Sequence, residues 1–312
     1  MSRPKIAFLG AGNVGATCAL YCVQRALGDV VLVDVVEGVA AGKALDMLEA
    51  TSLLGVDVSV TGGTDFAAVQ GADVAVITAG IARKPGMSRA DLLKTNAEII
   101  TSCAQHLKRH APDCIVVMVT NPLDVMAHVA RKVTGFEARR VVGMAGVLDS
   151  ARFEAFIAQE LGVSVSRVNA MVMGGHGDTM VPLPRFTSVN GIPLPELMDA
   201  AAIQRLADRT RNAGAEIVAL LKTGSAYYSP ARAAARMVEA ILLDRKELLP
   251  CSAYLDGQYG ERGIYLGVPV ILGRRGVERI VELPLSETER AALAKSVQEV
   301  RTTMESMEGA LL

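Results

Sequence analysis

From residue 5 to about residue 145, short runs of β-branched and apolar residues alternate with longer stretches of helical spacing, and few folds accommodate that pattern. The runs cover residues 6–9, 30–35, 56–60, 74–78, 115–120 and 141–144; the helical stretches cover 14–27, 39–51, 91–109 and 123–134. The alternation predicts an α/β unit built on a doubly wound, mainly parallel sheet. Ligands of such sheets bind at the carboxyl ends of the strands, so Gly10, Asp34, Ala79 and Asn121 are expected around one crevice.

Gly10-Ala11-Gly12-Asn13-Val14-Gly15 follows the first run and opens the first helical stretch. Glycines at these spacings allow a tight turn, close approach of backbone to a pyrophosphate, and close helix packing. The pattern alone is weak. It gains weight because the second run leads to Asp34, nineteen residues after Gly15, where a carboxylate would accept hydrogen bonds from ribose hydroxyls. Asp34 would repel a 2′-phosphate and no arginine follows in Val35-Val36-Glu37, so NAD rather than NADP is the expected cofactor. The competing reading of Asp34 is a strand-end turn residue.

Composition narrows the function. Lys plus Arg number 32 against 33 Asp plus Glu, a balance that argues against nucleic-acid or membrane partners and for small-molecule chemistry. No apolar run approaches the ~18 residues of a membrane helix. No signal-peptide core precedes the first run, so a cytoplasmic protein is expected. Cys18, Cys22, Cys103, Cys114 and Cys251 form no C-x-x-C pair and suggest neither disulfides nor a metal site.

The remaining polar motifs fall at strand ends. Gly174-Gly175-His176-Gly177-Asp178 follows an apolar run at 168–173; it is either a turn or the setting of a general acid/base, since imidazole titrates near neutrality. Arg83 and Arg89 flank a Pro-Gly turn after the fourth run, as a solvated loop or as carboxylate ligands brought in by loop closure, while Lys84 reads as solvated. Asn121 before Pro122 is an Asx turn or a contact to substrate and nicotinamide. Asp149 and Arg152, in a helix to about residue 161, share a face as cap and local ion pair. Alternatively Arg152 binds an anion, because the dipole disfavours a cation in a first helical turn.

After residue 175 the spacing changes to a hairpin at Asn190-Gly191 between runs at 181–189 and 192–194, helices at 200–222 and 230–243, strands near 251–255, 263–272 and 278–283, and a last helix with a Ser286/Glu289 capping box. Two domains are expected, a Rossmann-type unit at 1–145 and an α+β substrate unit at 146–312.

Together these motifs resemble the lactate/malate dehydrogenase superfamily over essentially the whole length, most closely its lactate-dehydrogenase-like malate enzymes. The resemblance rests on Gly10 to Gly15, Asp34, Arg83-Lys84-Pro85-Gly86-Met87-Ser88-Arg89, Asn121-Pro122-Leu123-Asp124, the stretch 143–152 and the stretch 174–178. It implies His176 as proton donor and acceptor, Asp149 as its orienting partner, and Arg152, Arg89 and Arg83 as substrate ligands. Gly10, Ala11, Gly12, Asn13, Val14, Gly15, Asp34, Asn96, Val119 and Asn121 would hold the dinucleotide. Within the family, arginine at the place of Arg83 goes with malate and uncharged glutamine with lactate, so the implied substrate is a dicarboxylate, malate or oxaloacetate. A lactate or other 2-hydroxy-acid dehydrogenase is the alternative. No metal is implied. The resemblance also implies a homo-oligomer, a tetramer rather than a dimer, with the helix at 39–51 a candidate contact. Ser225 and Ala226 differ from the lactate type without revealing a contact.

Overall fold

The computed structural model describes residues 3–81 and 89–311. Arg83 and the Arg89 side chain lie outside the described residues, so the expectations placed on them have no structural counterpart.

The first half follows the alternation: β1 (Lys5–Leu9), α1 (Asn13–Gln24), β2 (Asp29–Val33), α2 (Val39–Leu54), β3 (Val60–Gly63), β4 (Val74–Ile77), α3 (Arg89–His110), β5 (Ile115–Met118), α4 (Leu123–Thr134) and β6 (Val141–Gly143). These strands pair in the order β3-β2-β1-β4-β5-β6, all parallel. The chain begins in the middle, steps outward to β3 and returns beside β1 as β4. The reversal opens a crevice at the carboxyl ends of β1 and β4. Ile6 and Phe8 face one apolar cluster while Ala7 and Leu9 face another, so burial on both sides explains why the runs are continuously apolar.

The third strand is displaced from its expected position. Its spacing indicates 56–60, but pairing with β2 begins at Val60 and ends at Gly63. A Cβ on Gly62 would sit 2.2 Å from the Ala40 carbonyl oxygen, so α2 can lie this close only over glycine.

The second half comprises α5 (Gly146–Leu161), β7 (Val168–Asn169), β8 (Val172–Met173), β9 (Val181–Pro182), β10 (Ser188–Val189), β11 (Ile192–Pro193), α6 (Ala200–Leu221), α7 (Tyr228–Leu242), β12 (Glu247–Asp256), β13 (Arg262–Gly273), β14 (Gly276–Ile280) and α8 (Glu287–Leu311). The run at 168–173 is two strands rather than one, because β7 pairs with β10 whereas β8 pairs with β9. The expected strand at 181–189 is broken by a 3-10 turn beginning at Pro184, which has no N–H for a ladder. The hairpin stands: Asn190 and Gly191 have φ of 50° and 87°, as a type I′ turn requires. The capping box also forms, with Ser286 N–H donating to Glu289 Oε2 at 2.7 Å and Glu289 N–H donating to Ser286 Oγ at 3.2 Å.

Strands β12, β13 and β14 pair antiparallel and join the parallel strands where Ser252 meets Gly143, so one nine-stranded sheet runs through both halves. All five cysteines are buried and free. Burial pushes the Cys103 and Cys114 thiols up to about 12, so they stay protonated and unreactive. Among the described residues, no helix is long and apolar enough to cross a membrane and no acid, histidine and cysteine cluster is placed to hold a metal.

Candidate active site

The glycine loop closes the crevice at the end of β1. Gly10 has φ of 106° and a Cβ there would meet the Ala79 backbone nitrogen at 2.5 Å, while a Cβ on Gly15 would meet the Gly10 carbonyl oxygen at 2.0 Å. Gly12 caps α1 with no side-chain bond to the helix, and nothing lies within 4 Å of where its Cβ would be. The first amides of a helix have no partner within it, and with room left beside Gly12 among the described residues this N-terminus suits the pyrophosphate of a dinucleotide.

Asp34 stands beside this loop. One carboxylate oxygen accepts the Ala11 N–H at 2.7 Å and the other the Val36 N–H at 3.0 Å. A carboxylate has about four acceptor sites, so these two bonds orient Asp34 and leave capacity for ribose hydroxyls. Lys43, which the sequence did not single out, donates to the Ala11 carbonyl at 2.7 Å and brings a cation to the same loop.

A cleft of about 320 Å³ lies next to it, walled by Val14, Val119, Asn121, Arg152 and His176, all of them marked by the sequence. Ser225 and Ala226, whose contact the sequence left open, line this cleft too, together with Gly214 and Val218 of α6. Asn96 is buried behind it. Its side-chain oxygen accepts the Ile81 N–H at 2.9 Å and its amide donates to the Asn121 carbonyl at 2.8 Å, so it ties together the segments that leave β4 and β5.

His176 Nδ1 lies 2.9 Å from Asp149 Oδ2. A carboxylate only accepts, so Nδ1 carries the proton and Nε2 remains for the cleft. Asp149 is buried in the first turn of α5, where the helix dipole favours an anion. Burial pulls the His176 pKa down, but the charge and hydrogen bond of Asp149, with the charge of Asp124, outweigh it and leave the pKa raised above 6.5; Arg152 opposes them.

The structure corrects the dipole argument for Arg152. Because α5 starts at Gly146, Arg152 lies in its second turn, beyond the first-turn effect. What distinguishes it is burial. Its side chain is 13% exposed, it meets Asp149 Oδ1 only at 3.5 Å, and its buried Nε has no partner among the described residues. Burial lowers its pKa against the opposing pull of Asp149. A buried donor left without an acceptor is costly, and a ligand carboxylate in the cleft would supply one.

Sequence reading missed what stands behind the histidine. Asp124, fully buried, accepts the His176 backbone N–H at 3.0 Å and the Ser252 hydroxyl at 2.6 Å, and Ser296 accepts the Gly175 N–H at 2.7 Å. Burial pushes the Asp124 pKa up, and its bonds to Ser252 and His176 oppose that rise. The Asn-Pro-Leu-Asp run was the one available signal for Asp124, since polar residues inside apolar stretches mark no partner by themselves.

The raised histidine pKa has a measurable consequence. His176 is expected to titrate above 6.5 by NMR, and Asp149→Asn is expected to lower that midpoint by removing the carboxylate charge that favours the imidazolium. A folded-state pKa above the unfolded one stabilises the fold fully below about 6.5 and is lost as pH rises through the folded value. The stability advantage of the wild type over His176→Asn therefore shrinks with rising pH, as denaturant unfolding on either side of that midpoint would record.

The site and fold have counterparts among known proteins. Residues 4–143 match the model of the lactate/malate dehydrogenase NAD binding domain, and residues 146–310 match that of the lactate/malate dehydrogenase alpha/beta C-terminal domain. The chain is 53% identical to the malate dehydrogenase of Rhodopirellula baltica, over 100% of this chain and 99% of that protein. It superposes on the apo malate dehydrogenase of Picrophilus torridus with a TM-score of 0.97 at 44% identity, covering 99% of each chain. A lactate dehydrogenase of Cryptosporidium parvum, complexed with lactic acid and nicotinamide adenine dinucleotide, gives a TM-score of 0.95 at 44% identity, again covering 99% of each chain. With both family models matched in chain order, the chain belongs to the lactate/malate dehydrogenase family.

Proposed function

We propose that the chain interconverts (S)-malate and oxaloacetate with NAD. The observation that carries this reading is the cleft in which the Asp149-paired His176 stands beside Arg152, whose buried Nε has no partner among the described residues. NAD supplies the hydride acceptor when malate is oxidised and NADH the donor in reverse. The Gly10–Gly15 loop with the N-terminus of α1 would hold the pyrophosphate and Asp34 the ribose, while Val119 and Asn121, which line the cleft, would hold the nicotinamide. Asn96 contributes by fixing Asn121.

In malate oxidation His176 Nε2 takes the hydroxyl proton, and Asp149 stabilises the imidazolium that results. In reduction the same nitrogen returns the proton to the carbonyl oxygen. Arg152 clamps the carboxylate next to the reacting carbon, which orients that carbon for transfer. By resemblance Arg89 polarises the carbonyl and Arg83 binds the second carboxylate.

A second reading is a lactate or other 2-hydroxy-acid dehydrogenase, favoured by the close superposition on the Cryptosporidium lactate enzyme. Initial rates of NADH oxidation with equal concentrations of oxaloacetate and pyruvate separate the two. Oxaloacetate is expected to be strongly preferred; preference for pyruvate would overturn the dicarboxylate assignment and keep the chemistry of His176.

We also assign NAD binding to residues 1–145 and the proton-transfer pair, with the carboxylate clamp Arg152, to 146–312, a division supported by family matches on either side of Ala145. The reading extends to a cytoplasmic enzyme of the tricarboxylic acid cycle and to a homotetramer built from dimers. Leu45, Leu48 and Leu53 of α2 are exposed, an apolar surface that supports α2 as a subunit contact.

A further inference from the structure

The catalytic loop is held from behind by three consecutive amides. Gly174 N–H donates to the Gly267 carbonyl at 2.9 Å, Gly175 N–H to Ser296 Oγ at 2.7 Å, and His176 N–H to Asp124 Oδ2 at 3.0 Å. Of the three acceptors, Ser296 is supplied by the C-terminal helix α8, 121 residues further along the chain. It has no exposed surface, and its hydroxyl also lies 3.3 Å from Thr179 Oγ1 on the far side of the loop.

The contact is close as well as polar. A Cβ on Gly174 would meet Ser296 Oγ at 2.8 Å, and a Cβ on Gly175 would meet Val300 Cγ2 at 2.8 Å. Ser296 stands on a helix whose other buried members include Leu293, Val297 and Val300. A hydroxyl among them is disfavoured unless its hydrogen bonds are used. Beside the contact is a small cavity of about 90 Å³ bordered by His176, Gly177, Thr179, Glu299, Val300 and Thr303. A loop released from Ser296 has room to shift into it.

We propose that Ser296 is a positioning residue for His176: its hydroxyl holds the Gly175 amide, and so sets the loop at the height from which the imidazole reaches Asp149 and the cleft together. The proposal rests on the reading of His176 as general acid/base. Among the described residues, the charged groups facing the ring are Asp149 and Arg152 from α5 and Asp124 from α4, and Glu299 from α8 borders the same cavity. Losing the Ser296 bond moves the imidazole relative to all of them, and its separation from Asp149 affects its protonation most directly.

The test is Ser296→Ala beside Ser296→Thr, which keeps the hydroxyl. Four quantities are read: the His176 titration midpoint by NMR, tractable with only four histidines, the NADH dissociation constant by fluorescence, and kcat and KM for oxaloacetate. For Ser296→Ala the expected result is kcat lower by roughly tenfold or more, with KM and NADH binding unchanged. The titration midpoint falls by roughly half a pH unit. Ser296→Thr recovers most of both. A Ser296→Ala protein that melts earlier yet keeps the wild-type kcat and midpoint would reduce Ser296 to a structural role and overturn the proposal, as would equal losses in the two variants or a parallel loss of NADH binding.

Should Ser296→Ala fail to fold, Thr179→Val removes the hydroxyl's second partner. It is expected to shift kcat and midpoint in the same directions by less, and no shift would overturn the proposal. If the wild type does not reduce oxaloacetate, the functional reading fails, while the histidine midpoint still decides the part played by Ser296.

Discussion

Replacing His176 with asparagine lowers oxaloacetate turnover by roughly 10²- to 10⁴-fold and leaves NADH binding close to wild type. The expectation follows from what asparagine retains. Its amide can still donate to Asp149, so the buried carboxylate keeps a partner and the wall of the cleft keeps its shape. What disappears is a group able to hold a proton near neutral pH. On the proposed reading Arg152 would still bind the substrate carboxylate and the glycine loop the dinucleotide, so the loss should fall on kcat rather than on either binding constant. Single-turnover rates combined with NADH fluorescence separate these quantities. Turnover that survived the substitution would remove His176 from the chemistry and leave its pairing with Asp149 without a use.

Arg83→Gln should reverse much of the substrate preference, changing the ratio of oxaloacetate to pyruvate activity by on the order of a thousandfold. Enclosing a guanidinium over a monocarboxylate leaves a buried cation without a partner, whereas the second carboxylate of oxaloacetate supplies one. Glutamine carries no charge, so enclosure over pyruvate is no longer penalised and the dicarboxylate loses its ligand. Both effects move the ratio in the same direction. Values of kcat/KM for the two substrates, in wild type and variant, measure it, and an unchanged ratio would refute the assignment of the second carboxylate to Arg83.

The parts of this molecule legible in its sequence are those specified by neighbours along the chain. The alternation of runs announced the parallel sheet; Asn190-Gly191 announced its turn; Ser286 and Glu289 announced the start of α8. Asp34 could be paired with the glycine loop because their spacing reflects a recurring unit of local structure. Where long-range packing decides, reading by spacing slipped. The third strand moved to 60–63 because α2 approaches over Gly62, and the run at 168–173 split because its halves pair with different strands. Ser252 and Ser296 were out of reach for the same reason: each meets its partner more than a hundred residues away, and a serine in an apolar stretch carries no mark of that partner.

The seam where the two halves share their sheet has one more implication. Gly143 meets Ser252 there, and a Cβ on Gly143 would sit 2.8 Å from both the Ser252 Cβ and the Leu123 Cδ2. The same Ser252 holds Asp124, and Asp124 holds the His176 amide. The joint is thus also the footing of the proton-transfer group. An enzyme whose halves hinge on each other can bring its chemistry together by rocking them. Rocking the halves at this seam would strain the chain of hydrogen bonds from Ser252 through Asp124 to the His176 amide, so the histidine is tied to the shared sheet rather than to either half alone.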